Sequence, residues 1–274
     1  MKIAFSPCPN DTFIFYAWVH GLIPGAPALD VSYADIDVTN EWAIQANEYD
    51  VLKVSTAVLP WVVSKYTLLP CGGALGKGCG PLVLVPTREK PIKPTDLTGK
   101  RIAVPSIRST AYLLFRLWAA KYIPEGVGVI EVMPFHQIMP AVRDGRVDAG
   151  LVIHEARFTY PSYNLSSVVD LGDWWTGETN LPIPLGVIIA KKGLDASKIA
   201  DWIRQSVVYA WNHPGEYEQY VSDHAQELNR SVIQRHIDLY VNEFTKDLGE
   251  IGYQAISVLL ERSAKEGLLP SVDK

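Results

Sequence analysis

Residues 2–21 read KIAFSPCPNDTFIFYAWVHG, and this stretch decides the fold class. Its first residues, Lys2 to Phe5, form a short apolar run that predicts a β-strand ending at a proline-rich turn. Asn10 or Asp11 is the predicted N-cap of an apolar helix that ends at Gly21. The segment therefore predicts a strand, a turn and a helix in that order.

The same order returns in the first third of the chain. Asp35 to Val38 predicts a strand, and Val51 to Ser55 predicts another that continues into a helix from Thr56. Strands that alternate with helices are typical of a parallel sheet. The first part of the chain is therefore predicted to be an α/β lobe.

A second series of strands and helices follows a proline-rich linker. Arg101 to Val104 predicts a strand, Ser109 or Thr110 a helix cap, and residues 111–122 the helix itself. Ala149 to Ile153 predicts a further strand. The pattern indicates a second α/β lobe.

Two similar segments, residues 80–85 and 183–190, predict strands by which the chain leaves the first lobe and returns to it. We therefore expect an α/β fold of two lobes, each a mostly parallel sheet flanked by helices, joined by two crossover strands. Residues 1–85 and 187–274 are assigned to the first lobe and residues 86–186 to the second. A substrate cleft is expected between the lobes.

The composition is that of an ordinary globular protein. The chain has 274 residues, of which 48% are hydrophobic and 20% charged. A net charge of −5 and the lack of a basic run argue against a nucleic-acid partner. No apolar stretch reaches the roughly 20 residues that a spanning helix needs, so no membrane partner is expected.

The compartment is also predicted from the sequence. The first residues do not follow the pattern of an export signal. The three cysteines lack a Cys-x-x-Cys pair, which argues against a disulfide framework and against a zinc site. We expect a cytoplasmic protein.

Three strand-to-helix junctions carry small hydroxyl or amide side chains, at residues 6–12, 53–56 and 106–110. In an open parallel sheet such junctions lie where ligands bind, and helix N-termini offer N–H groups to an anion. Helix capping alone explains any single junction. The three together favour a ligand-binding cleft.

A histidine stands at the end of a fourth predicted strand. Histidine side chains can serve as general bases near neutral pH, so His154 is a candidate for that role. A structural role explains its position equally well. The histidines interpreted as structural are His20, His213, His224 and His236, which lie on predicted helices or at their ends.

The glycine-rich segment over residues 72–80 does not fit a nucleotide-binding motif. A Walker A loop needs Ser or Thr after Gly76 and Lys77, but Gly78 stands there. The dinucleotide fingerprint needs a glycine where the chain has Pro81. A flexible wall or hinge is the favoured interpretation.

Three motifs together resemble one enzyme family. They are SPCPNDTFIF at residues 6–15, GGALG at residues 72–76 and IHEARFTY at residues 153–160. They are similar to the 1,4-dihydroxy-6-naphthoate synthases of the futalosine route to menaquinone, and the similarity extends over nearly the whole chain. The resemblance implies a type II periplasmic-binding-protein fold.

The resemblance also implies an activity. The family is a group of carbon–carbon lyases that convert cyclic dehypoxanthinyl futalosine to 1,4-dihydroxy-6-naphthoate with release of dihydroxyacetone. No metal or organic cofactor is implied. The expected partner is a small-molecule carboxylate substrate, bound by a monomer or a homodimer.

The family's site residues are implied position by position. His154 matches the proposed proton acceptor, and a substrate-contacting Lys-x-Ser matches Lys53 to Ser55. Relatives often have threonine at the position of Ser109. The departure is mild, because serine also has a hydroxyl. The implied substrate-binding residues are, in chain order, Asn10, Asp11, Lys53, Val54, Ser55, Ser109 and Thr110.

Two alternatives share the fold, and fold alone does not decide function. One is the chorismate dehydratase of the same pathway, and the other is a non-catalytic protein that binds small carboxylates. The lack of an export signal and the presence of His154 argue against a solute-binding protein. Residues 6–12 together with His154 favour the naphthoate synthase over the dehydratase.

Overall fold

The computed structural model describes residues 1–45, 48–154, 156–225 and 229–270. The chain divides into two compact units. Of the described residues, the first contains Met1–Leu75 and Pro184–Val258, and the second contains Gly76–Ile183 and residues 259–270. The lobe boundaries inferred from the sequence, and the cleft between the lobes, stay predictions.

The strands of the described residues belong to two sheets. In chain order they are β1 (Lys2–Phe5), β2 (Asp30–Tyr33), β3 (Val51–Ser55), β4 (Tyr66–Leu68), β5 (Ala74–Gly76), β6 (Leu82–Pro86), β7 (Ile102–Val104), β8 (Ile130–Val132), β9 (Ala149–Val152), β10 (Leu165–Asp170) and β11 (Ile183–Lys191).

Before β11 the α-helices lie between strands, although β4 to β7 follow one another without an α-helix. After β11 the described elements are all helices. They are α1 (Pro9–Val19), α2 (Ile36–Gln45), α3 (Leu59–Val62), α4 (Thr110–Tyr122), α5 (Phe135–Arg143), α6 (Ala156–Thr159), α7 (Leu171–Thr179), α8 (Ala196–Asn212), α9 (Glu218–His224), α10 (Arg230–Tyr240), α11 (Glu243–Lys246) and α12 (Gly249–Lys265). None of the described helices is long and apolar enough to cross a membrane.

Each unit is built on one sheet. In the first unit the strand order is β2-β1-β3-β11-β4, with β5 paired to β11. In the second unit the order is β10-β6-β9-β7-β8. Helices flank both sheets, so the predicted α/β class is confirmed.

The sheets are mixed rather than mostly parallel. In the first, β1 is parallel to β2 and β3, while β11 is antiparallel to β3 and β4. In the second, β7 is parallel to β8 and β9, while β6 is antiparallel to β9 and β10. A parallel strand needs a crossover connection. β6 instead begins a few residues after the chain enters the second unit, and β11 begins at the point where the chain returns to the first.

One predicted strand is wrong. The strand expected at Asp35 to Val38 lies earlier, as β2 at Asp30–Tyr33, and α2 already begins at Ile36. β2 lies at the edge of its sheet, and its residues are exposed or half-buried. An edge strand with so little buried surface lacks the continuous apolar run by which β1 was found.

Helix α1 lies inside the first unit. Every residue from Pro9 to Trp18 is buried, because α8, α9 and α10 pack around the helix. A helix that is apolar on all sides is expected to be buried in this way. The core includes Phe13, Phe15 and Ile203.

The start of α1 corrects the prediction that Asn10 or Asp11 is its N-cap. The N-cap position is Cys8, whose carbonyl oxygen accepts from the backbone N–H groups of Asp11 and Thr12 at 3.0 Å each. Pro9 occupies the first helical position, where its lack of an N–H has no cost. The side chains of Asn10 and Asp11 are therefore free for a different role inside the protein.

Candidate active site

A buried ion pair joins the first turn of α1 to β3. Lys53 Nζ lies 3.1 Å from Asp11 Oδ1. Lys53 is 1% exposed and Asp11 is 2% exposed. Because β1 and β3 are parallel neighbours, the residues that follow β1 lie beside β3. The fold thus brings together two of the residues that the family resemblance singles out.

The Asp11 carboxylate has further hydrogen-bond donors. Ser6 Oγ donates to Asp11 Oδ2 at 2.7 Å, and Asn10 Nδ2 donates to Asp11 Oδ1 at 2.8 Å. A buried carboxylate needs such donors in addition to its counter-ion, because burial removes the water that would solvate it. These contacts give both carboxylate oxygens of Asp11 a donor inside the unit.

Lys53 has a second acceptor on the glycine-rich segment. Its Nζ donates to the carbonyl oxygen of Gly72 at 2.7 Å. Gly72 has a φ of +73°, and a Cβ there would lie 2.1 Å from Ile188 Cδ1. Glycine suits this position, since any other side chain would have to displace Ile188 and would strain the backbone. The carbonyl oxygen of Gly72 is thus held as an acceptor for the Lys53 ammonium.

Replacing Gly72 with alanine is expected to destabilise the protein by about 1–3 kcal/mol beyond the backbone cost, because the added methyl overpacks the core. The matched control is Gly25→Ala. Gly25 has the same φ of +73°, but nothing lies within 4 Å of a Cβ built there. Urea denaturation of both variants measures the difference. Equal losses of stability would show that the contact with Ile188 is relieved without cost.

The hydroxyl of Ser55 is oriented by a residue that the sequence analysis missed. Asn40 is fully buried on α2; its Nδ2 donates to Ser55 Oγ at 3.0 Å, and its Oδ1 accepts from the Ser55 backbone N–H at 2.8 Å. Since Ser55 Oγ accepts from the amide, its own proton is directed to another acceptor. No motif marks Asn40, because its partner is 15 residues away in the sequence.

In the second unit, Ser109 is the N-cap of α4, which confirms one of the two predicted caps. Its Oγ accepts from the Tyr112 backbone N–H at 3.1 Å and donates to the Ser106 carbonyl oxygen at 3.0 Å. Ser109 and Thr110 are 4% and 2% exposed. The Ser109 hydroxyl therefore fixes the start of α4.

His154 is the second residue after β9, which ends at Val152 and is one residue shorter than predicted, and it is half-buried. Its φ is +52°, a left-handed conformation that costs a non-glycine residue about 1–2 kcal/mol. The Phe135 ring stands edge-on to the imidazole, with centroids 5.6 Å apart. Strained residues of this kind concentrate at functional sites.

An ion pair stabilises the segment that follows His154. Arg157 donates to Asp170 Oδ2 and to the Gly80 carbonyl oxygen, both at 2.8 Å. Burial raises the pKa of Asp170, and the positive charge of Arg157 acts against this shift. The backbone N–H of Arg157 donates to the carbonyl oxygen of His154 at 3.4 Å. Arg157 therefore fixes the turn that carries the histidine.

The implied site residues fall into two groups. β7 and β9 are parallel neighbours, so the junctions after them lie at one sheet edge of the second unit. Val54, in β3, is fully buried. The first unit contains Asn10, Asp11, Lys53, Val54 and Ser55, and the second contains Ser109, Thr110 and His154. Residue 155, inside the quoted motif, lies outside the described residues.

The buried cysteines do not provide a nucleophile. Burial raises the pKa of the Cys71 thiol to about 12 and that of Cys79 to about 11. A thiol must ionise to react, so both are inert near neutral pH. Among the residues with described positions, no group of three or more His, Cys, Asp or Glu side chains could hold a metal ion.

Comparison with known proteins agrees with the resemblance. Residues 1–265 match a family model described as menaquinone biosynthesis. A 1,4-dihydroxy-6-naphthoate synthase from Streptomyces coelicolor is 61% identical and covers 99% of this chain and 95% of that protein. One from Thermus thermophilus is 43% identical and covers 98% of this chain and 95% of that protein.

A solved structure supports the fold. A Candida albicans protein described as having the generic periplasmic-binding-protein fold is similar with a TM-score of 0.74 and 16% identity, covering 100% of this chain and 92% of that one. At this identity the likeness concerns the fold alone. The family model and the two synthases extend over nearly the whole chain, and the chain belongs to the menaquinone biosynthesis family that they represent.

Proposed function

We propose that this protein is a 1,4-dihydroxy-6-naphthoate synthase, a carbon–carbon lyase of menaquinone biosynthesis. The observation that carries the proposal is 61% identity over 99% of the chain to a protein of that name. The family resemblance supplies the substrate, cyclic dehypoxanthinyl futalosine, and the second product, dihydroxyacetone. The chorismate dehydratase alternative is not favoured, because both curated relatives are named as naphthoate synthases.

His154 is the general base of the proposed reaction. It takes a proton from a substrate hydroxyl or from an acidified carbon, and the electron pair left behind drives cleavage of a carbon–carbon bond. The pair released from that bond takes the proton back from the imidazolium, and formation of the aromatic naphthoate drives the step forward. Its position after β9 and its left-handed backbone support this role. The edge-on ring of Phe135 limits the orientations of the imidazole.

Lys53 and Ser55 are the proposed anion-binding groups of the first unit. An ammonium has three N–H donors, and within the described residues two of them are directed to Gly72 O and Asp11 Oδ1. The third is proposed to bind the substrate carboxylate. The Ser55 hydroxyl donates its proton to the same carboxylate, since its oxygen already accepts a hydrogen bond from Asn40. Asn10 and Asp11 contribute by holding Lys53.

Ser109 and Thr110 are the proposed substrate-binding residues of the second unit. Ser109 Oγ already donates to Ser106 O, so it binds substrate only as an acceptor or by fixing the backbone N–H groups at the start of α4. Thr110 supplies a second hydroxyl one residue later. A hydroxyl at each position agrees with the family pattern.

The proposed activity is tested by incubating the purified protein with cyclic dehypoxanthinyl futalosine and following products by liquid chromatography and mass spectrometry. We expect 1,4-dihydroxy-6-naphthoate and dihydroxyacetone, in equal amounts and also in the presence of a metal chelator. Parallel incubation with chorismate is the control. Conversion of chorismate, or recovery of the first substrate unchanged, would contradict the proposal.

We also propose a cellular location, partners and an oligomeric state for the enzyme. A cytoplasmic location agrees with a biosynthetic role, and the small carboxylate substrate needs neither a membrane nor a nucleic acid. The protein acts as a monomer or a homodimer. Light scattering during gel filtration measures the mass in solution and separates these two states.

A further inference from the structure

A histidine interpreted as structural from the sequence contacts the proposed site. His236 lies on α10 and is 1% exposed. Its Nε2 is 3.0 Å from Oδ1 of Asn10, a residue 226 positions earlier in the chain. Asn10 is itself buried on α1, with 6% exposure. The contact therefore joins α10 to the first turn of the helix that carries Asp11.

The hydrogen bonds of Asn10 determine which atoms donate. The Asp11 carboxylate can only accept, so the Asn10 atom 2.8 Å from it must be the amide nitrogen Nδ2. The atom facing His236 is then the amide oxygen, and Nε2 of the imidazole must carry the proton that it accepts. Asp11 and His236 thus hold the side-chain amide of Asn10 from both ends.

The orientation of Asn10 acts on the ion pair. With its nitrogen toward Asp11, Asn10 donates to the same oxygen, Oδ1, that lies 3.1 Å from Lys53 Nζ. Without the imidazole N–H, the buried Asn10 oxygen would lose its donor, and the side chain would turn away from Asp11 to find another one. Asp11 would then turn or shift, and Lys53 would move with it.

We propose that His236 is a positioning residue for substrate binding. Through its bond to Asn10 it maintains the donor to Asp11, and through Asp11 it places the Lys53 ammonium. This inference rests on the proposed function in one respect, because Lys53 is taken to bind the substrate carboxylate. His236 itself touches no substrate, so its loss affects substrate affinity more than the chemical step.

The test compares three variants. His236→Met removes the donor at similar size, His236→Gln keeps an N–H at a similar reach, and Ile233→Ala is the control for stability. Ile233 is buried on the same helix, one turn earlier, and belongs to the apolar core. Steady-state kinetics with cyclic dehypoxanthinyl futalosine and thermal unfolding are measured for each variant.

We expect His236→Met to raise KM about tenfold with kcat within about threefold, since tenfold corresponds to the loss of one hydrogen bond. His236→Gln is expected to restore KM to within about threefold of the original. Ile233→Ala is expected to lower the unfolding temperature without changing KM. An equal rise of KM in Ile233→Ala, or an unchanged KM in His236→Met, would overturn the inference.

A crystal structure of His236→Met separates this inference from the proposed function. We expect the Asn10 amide to turn and the distance from Lys53 Nζ to Asp11 Oδ1 to exceed 4 Å. Unchanged positions of both side chains would overturn the positioning role whatever the activity. If the unaltered protein does not convert the substrate, the proposed function fails, and the structure alone decides whether His236 places Lys53.

Discussion

The His154→Ala variant is expected to lose activity by about 10²–10⁴-fold in kcat, the usual contribution of a general base. Its KM is expected to change little, because the proposed substrate-binding groups are other residues. Initial rates of 1,4-dihydroxy-6-naphthoate formation measure both constants. A variant that keeps most of its activity would show that another group takes the proton, even if the protein is a naphthoate synthase.

The backbone at position 154 provides a sharper control. Its φ of +52° is unfavourable for alanine but is tolerated by asparagine and glycine. His154→Asn should therefore keep the thermal stability of the original protein and still lose activity. His154→Gly leaves space for an added base, so millimolar imidazole is expected to restore part of the rate. If both variants keep their stability and are inactive until imidazole is added to His154→Gly, the loss of activity is due to the missing imidazole side chain. No rescue, together with full activity of His154→Asn, would contradict this role.

Local signals predicted a large part of the fold. β1 and β3 are fully or almost fully buried and are made mostly of apolar residues, and Ser109 caps α4 through a bond three residues ahead. Such features are encoded within a few residues of one another. The edge strand β2 was misplaced because none of its residues is buried.

The arrangement of the site was not predictable from local patterns. Capping preferences favoured Asn10 or Asp11 as the start of α1, but burial beside Lys53 and His236 determines the role of both side chains. The partners lie 42 and 226 residues apart in the sequence. Asn40 was missed for the same reason. The family resemblance identified Lys53 and Ser55, whereas only the structure connects them to α1, α2 and α10.

The Lys53→Met variant is expected to be destabilised by about 3–5 kcal/mol, because removing one partner of a buried ion pair leaves the other charge uncompensated. Here the remaining charge is the Asp11 carboxylate, which is 2% exposed. Urea denaturation followed by tryptophan fluorescence measures the free energy of unfolding. Substrate affinity should fall as well, since the ammonium group proposed to bind the substrate carboxylate is lost.

The double variant Lys53→Met/Asp11→Asn shows whether charge is the cause. With both charges removed, the new side-chain amide at position 11 can present its oxygen to Asn10 Nδ2 and an N–H to the Ser6 hydroxyl, which also accepts, so most of the lost stability should return while the substrate affinity stays low. The exposed pair of Lys2 and Glu48, with side chains 41% and 71% exposed, is the control. Lys2→Met should leave the unfolding midpoint nearly unchanged, because water solvates the remaining charge. If the double variant is as unstable as Lys53→Met, packing around the lysine stem, and not the buried charge of Asp11, explains the loss.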